Sequence, residues 1–145
     1  TYRAGFKIEE LVEFVRAASN SEEEFQQAVQ DLHQALDVSA DKVSQKIPAE
    51  STLVGQVDAL IDTLYFTYGS FVLMGVDPER IFEIVHQANM GKIFPDGKAQ
   101  FDPVTHKILK PEGWEEKYAP EPAIKKELAR QIRAYERHKE RKNKQ

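Results

Sequence analysis

The sequence predicts an all-α helical bundle that carries a small hairpin or irregular appendage near its C-terminal end. Apolar residues recur at helical spacing through four segments of the first 92 residues, and capping or proline signals separate those segments. Turn signals and a short strand-like stretch come only after Lys92. We therefore expect a single domain, with a helical core at 1–92, an appendage at 93–121 and a final helix with a polar tail at 122–145.

A serine–glutamate signal separates the first two predicted helices. The first runs from about Ala4 to Ala18 and the second from about Glu22 to Lys46. Ser21 is the expected N-cap of the second helix, and Glu24 follows it at the capping-box spacing. The core stripe of the first helix consists of Ile8, Leu11, Val12 and Val15.

The third predicted helix is the most apolar segment of the chain, so we expect it to be buried at the centre. It runs from Leu53 to Val76 after a predicted N-cap at Ser51, and apolar residues occupy nearly every face. Gly75 closes it, and the fourth helix opens at Asp77-Pro78 and ends near Met90. The residues expected to face inward from the fourth helix are Ile81, Phe82, Ile84 and Val85.

The last third of the chain has a different character. The stretch AQFDPVTHKILK predicts a small hairpin in which Phe101, Ile108 and Leu109 pack. A proline-rich loop with Trp114 leads to a last helix from about Pro122, and the polar tail of that helix is expected to fray.

Composition narrows the functional class. The net charge of −4 argues against a globally basic nucleic-acid binder. The absence of cysteine excludes thiolate metal sites and cysteine nucleophiles, and it fits a cytoplasmic protein. No uncharged apolar run reaches about 18 residues, so no membrane partner is expected. Because the chain begins at Thr1 rather than Met, we expect further residues upstream.

Two aspartates stand out in the apolar third helix. Asp58 and Asp62 are the only charges between Glu50 and Asp77, and their spacing of four puts them on one helix face. Burying two unpartnered like charges would cost several kcal/mol each, on the order of what a divalent cation offsets. Their alternative is pairing with basic residues of another element, namely Arg3, Lys7 or Arg16.

A second acidic cluster lies on the first helix. In EELVE, Glu9 and Glu13 are four apart and Glu10 and Glu13 are three apart, so at least two carboxylates converge. Taken alone, this cluster is more typical of a solvated helix face than of a metal site. Facing the aspartates of the third helix, it would complete an all-oxygen site for a hard cation, most plausibly Mg²⁺ with Mn²⁺ as the alternative.

The end of the fourth helix carries groups suited to a nucleotide. Asn89 and Lys92 are three apart, so an amide that can read a base or ribose edge lies beside an ammonium that can pair with phosphate. The alternative is an ordinary helix C-terminus, where lysine is favoured by the dipole. Weaker candidates for the same role are His86, Tyr65, Lys98, Lys107 and Lys110. The basic stretch from Lys125 to Lys144 is more typical of a solvated helix than of a nucleic-acid surface.

These segments together resemble a known family. The strings EELVE, VDALIDTLYFTYGS, GVDPERIFEIVHQANMGKIFPDGK and KILKP are similar to the all-α nucleoside triphosphate pyrophosphohydrolases of the MazG and dimeric-dUTPase superfamily. The similarity is to the phosphoribosyl-ATP pyrophosphohydrolase-like branch, and it covers about residues 3–122. It implies a MazG-like helical bundle, Mg²⁺-dependent cleavage between the α- and β-phosphates, a homodimer or tetramer, and a role in nucleotide-pool house-cleaning.

The resemblance also assigns residues. The family's EExxE motif maps onto Glu9, Glu10 and Glu13, and the aspartate of its ExxD motif maps onto Asp58, whereas the glutamate of ExxD falls on Gly55. We hypothesise that Asp62 supplies the missing carboxylate. The implied metal ligands are Glu10, Glu13, Asp58 and Asp62, with Glu9 as the proton acceptor.

The same resemblance gives Asn89 and Lys92 a nucleotide-binding role. Because of Gly55, a non-catalytic module that binds a nucleotide or a partner remains the alternative to the enzyme. The resemblance leaves the substrate open among damaged nucleotides, dUTP, dCTP and phosphoribosyl-ATP.

Overall fold

The computed structural model describes residues 2–47 and 52–144, and over those residues the fold is all-α, as predicted. Its helices are α1 (Tyr2–Ala18), α2 (Glu22–Ser44), α3 (Thr52–Met74), α4 (Glu79–Met90), α5 (Trp114–Tyr118) and α6 (Glu121–Lys142). The predicted N-cap Ser51 lies outside the described residues. The chain divides into two compact units, Thr1–Val54 and Gly55–Gln145. The prediction of one domain stays a prediction.

In the first unit, the turn between α1 and α2 forms as the sequence predicts. The Ser21 hydroxyl accepts a hydrogen bond from the Glu24 amide at 3.2 Å, which confirms the N-cap. The Glu24 carboxylate returns to the amide of Asn20 at 2.7 Å, one residue earlier than in a standard capping box. Arg16 crosses the turn, because it pairs with Glu22 at 2.7 Å and lies 4.8 Å from the centre of the Phe25 ring.

Helix α3 forms over the predicted range, but the prediction that it is buried is wrong for this chain. No described residue of α3 is buried, and the side chains of Phe66, Val72 and Leu73 are 74%, 77% and 90% exposed. The helix ends as predicted, since Gly75 adopts a φ of +67° and the Val76 amide donates to the Phe71 carbonyl at 3.0 Å. Apolar composition therefore predicts that this segment is helical, but it does not predict whether the helix is buried within one chain.

Helix α4 starts one residue later than predicted. Pro78 occupies the N-cap position, and the Asp77 carboxylate accepts from the amide of Glu79 at 3.1 Å. Ile81 and Ile84 are half-buried as expected, but Phe82 is 73% exposed, so its predicted inward orientation is wrong. The only buried residue of the helix is Ala88.

Helix α6 packs against α4 and is tied to the turn before it. The side-chain amide of Gln131 accepts from the Asp77 amide at 3.0 Å and donates to the Asp77 carbonyl at 2.9 Å. These two bonds satisfy both backbone groups of one residue in the α3–α4 turn. The last turns of α6 are helical through Lys142, where the sequence predicts fraying.

The predicted hairpin is reduced to a turn. Among the described residues, an isolated antiparallel bridge joins Phe101 and Ile108 and no strand forms. The Asp102 carboxylate accepts from the amides of Val104 and Thr105 at 2.9 and 2.6 Å, and these bonds lower its pKa. Phe101 is 58% exposed, so its predicted packing is wrong. In the described part of the chain, no helix is long and apolar enough to cross a membrane.

Candidate functional site

The first predicted acidic cluster lies on the middle of α1. Glu10 and Glu13 are exposed and Glu9 is half-buried, and all three belong to the same uninterrupted helix. Their spacing of three and four residues places Glu13 beside both others on the helix surface. The helix therefore presents a carboxylate pair to whatever approaches this face.

The second acidic pair lies one turn apart on α3. Asp58 and Asp62 are both exposed, so the cost of burying their charges is not present in this chain. Of the basic residues predicted as alternative partners, Arg16 pairs with Glu22 inside the first unit, and the pairing of these aspartates with Arg3, Lys7 or Arg16 stays a prediction. Exposure leaves both carboxylates accessible to a cation or to another protein surface.

The metal assignment stays a prediction. Within residues 2–47 and 52–144, no three His, Asp or Glu side chains lie close enough together to hold a metal ion. The α1 cluster belongs to the first compact unit, and Asp58 and Asp62 belong to the second. What the structure shows is two carboxylate pairs, each organised by its own helix.

The end of α4 brings two predicted nucleotide-binding residues into direct contact. The Lys92 ammonium donates to the side-chain oxygen of Asn89 at 2.9 Å. The helix closes around them, because the Gly91 amide donates to the Gln87 carbonyl at 2.9 Å. An amide and an ammonium are thus presented together where the sequence predicts them, and their role stays a prediction.

Trp114 is buried against the end of α4. It is only 6% exposed, and its indole N–H donates to the carbonyl of Ala88 at 2.9 Å. That carbonyl belongs to the last turn of α4, where helical carbonyls lack partners within the helix. Two lysines lie against the same ring, with the Lys92 ammonium 5.5 Å and the Lys110 ammonium 4.3 Å from the ring centre.

Helix α5 also presses on the end of α4 through Tyr118. A Cβ atom placed on Gly91 would lie 2.5 Å from the Cγ atom of Tyr118, so only glycine allows this approach. Sequence reasoning placed Trp114 in a loop and missed both contacts. The available signals were Gly91 just after the helix and a single tryptophan among prolines.

Two other predicted nucleotide-binding residues, His86 and Tyr65, contact different aromatic rings. His86 stacks in parallel on Phe82, with ring centres 6.4 Å apart and an interplanar angle of 4°. Tyr65 lies on α3, is 75% exposed and meets the edge of Phe66. Lys107 is exposed in the turn between Phe101 and Ile108. Of the lysines in the appendage, Lys110 is the one whose ammonium contacts the same Trp114 ring as the ammonium of Lys92.

The strongest electrostatic effect lies outside the predicted site, on α6. Glu127 is 8% exposed, and its two carboxylate oxygens accept from the guanidinium of Arg130 at 2.8 and 2.6 Å. These bonds, with a further one from Gln131, lower the pKa of Glu127 to about 2. Sequence reasoning missed this group, although the i,i+3 spacing of Glu127 and Arg130 signals such a pair.

Comparison with known proteins gives two matches. The family model described as phosphoribosyl-ATP pyrophosphohydrolase matches residues 1–89. The crystal structure of a candidate NTP pyrophosphohydrolase from Exiguobacterium sp. 255-15 superposes with a TM-score of 0.78 at 40% sequence identity. That similarity covers 92% of this chain and 79% of the other. No protein of curated function matches the chain.

The extents of the two matches differ in an informative way. The family model includes both acidic clusters and reaches Asn89, but it stops before Lys92, Lys110 and Trp114. The similarity to the Exiguobacterium structure extends over nearly the whole chain. The segment that folds onto the end of α4 therefore lies outside the residues matched by the family model.

Proposed function

Because this chain belongs to the phosphoribosyl-ATP pyrophosphohydrolase family, we propose that it cleaves nucleoside triphosphates between the α- and β-phosphates in a Mg²⁺-dependent reaction. Family membership makes the protein a pyrophosphohydrolase. The bond cleaved, the metal and the nucleotide substrate are the proposed parts. The products would be a nucleoside monophosphate and pyrophosphate, and the natural role would be removal of unwanted nucleotides from the pool.

One observation carries the proposal. The stretch that matches the family model contains every carboxylate assigned to the metal site, together with Asn89. These carboxylates are Glu9, Glu10, Glu13, Asp58 and Asp62. Their presence within the matched stretch supports a shared chemistry with the family.

The available donors fit a hard divalent cation. All five are carboxylates, and Mg²⁺ prefers oxygen ligands and one or two protein carboxylates together with substrate phosphates. Bound there, Mg²⁺ would neutralise phosphate charge and lower the pKa of a water molecule. Glu10 and Glu13 on α1, with Asp58 and Asp62 on α3, would hold two or more such ions.

The remaining site residues would orient the substrate and move protons. Glu9 is half-buried on α1, beside the proposed ligands, and would accept the proton of the attacking water. Lys92 would neutralise charge that develops on the phosphates, and Asn89 would bind a base or ribose edge. The 2.9 Å hydrogen bond between their side chains keeps the Lys92 ammonium and the Asn89 amide together at one helix end.

We also propose that α3 is covered in a homodimer or tetramer. A helix that is apolar on most faces and has no buried described residue exposes more apolar surface than isolated monomers usually carry. A second copy would remove this surface from water at about 25 cal/mol per Å².

The decisive experiment measures pyrophosphate release from a panel of normal and modified nucleoside triphosphates with Mg²⁺. We expect release from at least one triphosphate, no release without the metal, and loss of release in Glu13→Gln. The matched control is Glu140→Gln, which removes an exposed charge at the far end of α6. Absence of release from every triphosphate by folded, Mg²⁺-binding protein would favour the non-catalytic module instead.

The role of Asp62 has its own test. If Asp62 replaces the glutamate that the family has at the position of Gly55, Asp62→Asn lowers both Mg²⁺ affinity and turnover. Adding Gly55→Glu to that variant should then restore part of the activity. Unchanged Mg²⁺ affinity and turnover in Asp62→Asn would remove Asp62 from the site.

A further inference from the structure

The contacts made by Trp114 converge on one short piece of backbone. Its indole N–H bonds to the carbonyl of Ala88, and its ring lies beneath the ammonium of Lys92. Tyr118, four residues later, lies against Gly91. Residues 88–92 are therefore held from one side by α5 and the turn before it. A buried tryptophan with a satisfied N–H is a rigid support, because its ring has little freedom to move.

The same ring gathers a second cation. The Lys110 ammonium lies 4.3 Å from the ring centre, nearer than that of Lys92. Both lysines lie beyond residue 89, so the family match does not include this pairing. The side chain of Lys110 is 46% exposed and Lys92 is half-buried, so neither side chain is sealed off from solvent.

Because both ammonium groups lie within 5.5 Å of one ring centre, they are at most about 10 Å apart, and at that range their charges repel each other unless an anion lies with them. Part of that charge is met by Glu115, whose carboxylate accepts from Lys110 at 2.6 Å. Glu115 is 71% exposed in its side chain, and exposed ion pairs of this kind contribute little to stability. A polyphosphate carries several charges and can displace a single exposed carboxylate.

We propose that Trp114 is a positioning residue that holds Lys92 and Lys110 as a paired site for a polyphosphate anion, and that Glu115 competes with the anion for Lys110. The inference rests on the proposed function, because it assigns the pair to the phosphate chain of the nucleotide or to the released pyrophosphate. It adds Lys110, Trp114 and Glu115 to a site that the family match leaves at Asn89.

The test uses Trp114 as its own probe, since it is the only tryptophan of the chain. Inorganic tripolyphosphate and pyrophosphate are titrated separately into the full chain in metal-free buffer, and tryptophan fluorescence is recorded. The absence of metal prevents binding through the carboxylate clusters. We expect a saturable change in fluorescence. If the lysine pair binds the phosphate chain of the substrate, tripolyphosphate should bind more tightly than pyrophosphate. If the pair binds the released product, pyrophosphate should bind at least as tightly as tripolyphosphate.

Single substitutions then test whether polyphosphate binding depends on these two lysines or only on the overall positive charge of the protein. Lys92→Met and Lys110→Met should each weaken binding about tenfold, the effect of one lost charge-assisted hydrogen bond. Glu115→Gln should tighten it, because the competing carboxylate is gone. The control Lys126→Met removes the same charge from an exposed position on α6 and should leave binding unchanged.

The test of Trp114 itself needs a measurement that would not change if this residue only stabilised the fold. Trp114→Phe retains a ring under the lysines, and Trp114→Leu does not, so phenylalanine should keep most of the affinity measured by calorimetry. In turnover, Trp114→Leu should raise KM several-fold more than it lowers kcat. If Trp114→Leu does not fold, the affinities of the lysine variants and of Trp114→Phe still test the paired site.

The two proposals fail in different ways. No saturable fluorescence change, or equal weakening in Lys110→Met and Lys126→Met, overturns the paired site even if the protein hydrolyses triphosphates. Polyphosphate binding that depends on both lysines, without turnover of any triphosphate, supports the paired site and overturns the enzymatic function.

Discussion

Helix α3 and the end of α4 show opposite relations between apolar content and burial. The first is the most apolar helix of the chain and has no buried described residue, whereas the second is short, polar and held by buried groups. At the end of α4, Ala88 is 5% exposed and Trp114 6% exposed, and a hydrogen bond joins them. Burial in this chain follows specific partners rather than apolar content. The end of α4 is covered by residues of its own chain, whereas the described residues of α3 stay exposed.

The largest expected effect on stability is at Trp114. Trp114→Ala removes a buried ring and leaves the Ala88 carbonyl without its donor, so the free energy of unfolding should fall by about 3 to 5 kcal/mol. Denaturant unfolding followed by circular dichroism measures it. The control is Tyr135→Ala, which truncates an aromatic residue that is 68% exposed on α6 and should cost under about 0.5 kcal/mol. Equal losses would mean that Trp114 does not hold this region.

Helix α3 should respond in association rather than in the folding of one chain. Leu73→Glu places a charge at a side chain that is 90% exposed, so a single chain should tolerate it. If α3 is an interface, the charge would be desolvated there, and association should weaken by about 2 kcal/mol or more. Light scattering against protein concentration measures the mass. Val104→Glu, at a side chain 80% exposed in the appendage, is the matched control. A monomeric wild-type protein would contradict the interface.

Local signals explain why part of this comparison is predictable. The cap at Ser21 and the stop at Gly75 depend on residues within a few positions, and the sequence predicts both. Burial of α3 depends on what packs against it, which no periodicity encodes. Trp114 and Ala88 are 26 residues apart, so their hydrogen bond has no local signature. The acidic spacings on α1 and α3 are predictable, but whether they meet depends on packing between elements.

The smallest effect is a pH dependence on α6. The pKa of Glu127 is lowered to about 2 by Arg130 and Gln131, against about 4.5 when unfolded. The folded state binds fewer protons in that window, so the stabilisation is present above pH 4.5 and is lost as pH falls toward 2. Glu127→Gln should flatten the fall in stability over this range, as measured by thermal unfolding at a series of pH values. An unchanged slope would mean that other carboxylates cause the acid sensitivity.

The central claim is that the carboxylates of α1 and α3 serve a Mg²⁺-dependent pyrophosphohydrolase. Its most direct test identifies the products from the best triphosphate of the panel by ³¹P NMR, with Mg²⁺ and with chelator. The account predicts equal amounts of nucleoside monophosphate and pyrophosphate, formed only with Mg²⁺ and absent in Glu13→Gln. Release of a nucleoside diphosphate and phosphate, or equal turnover in Glu13→Gln, would contradict it.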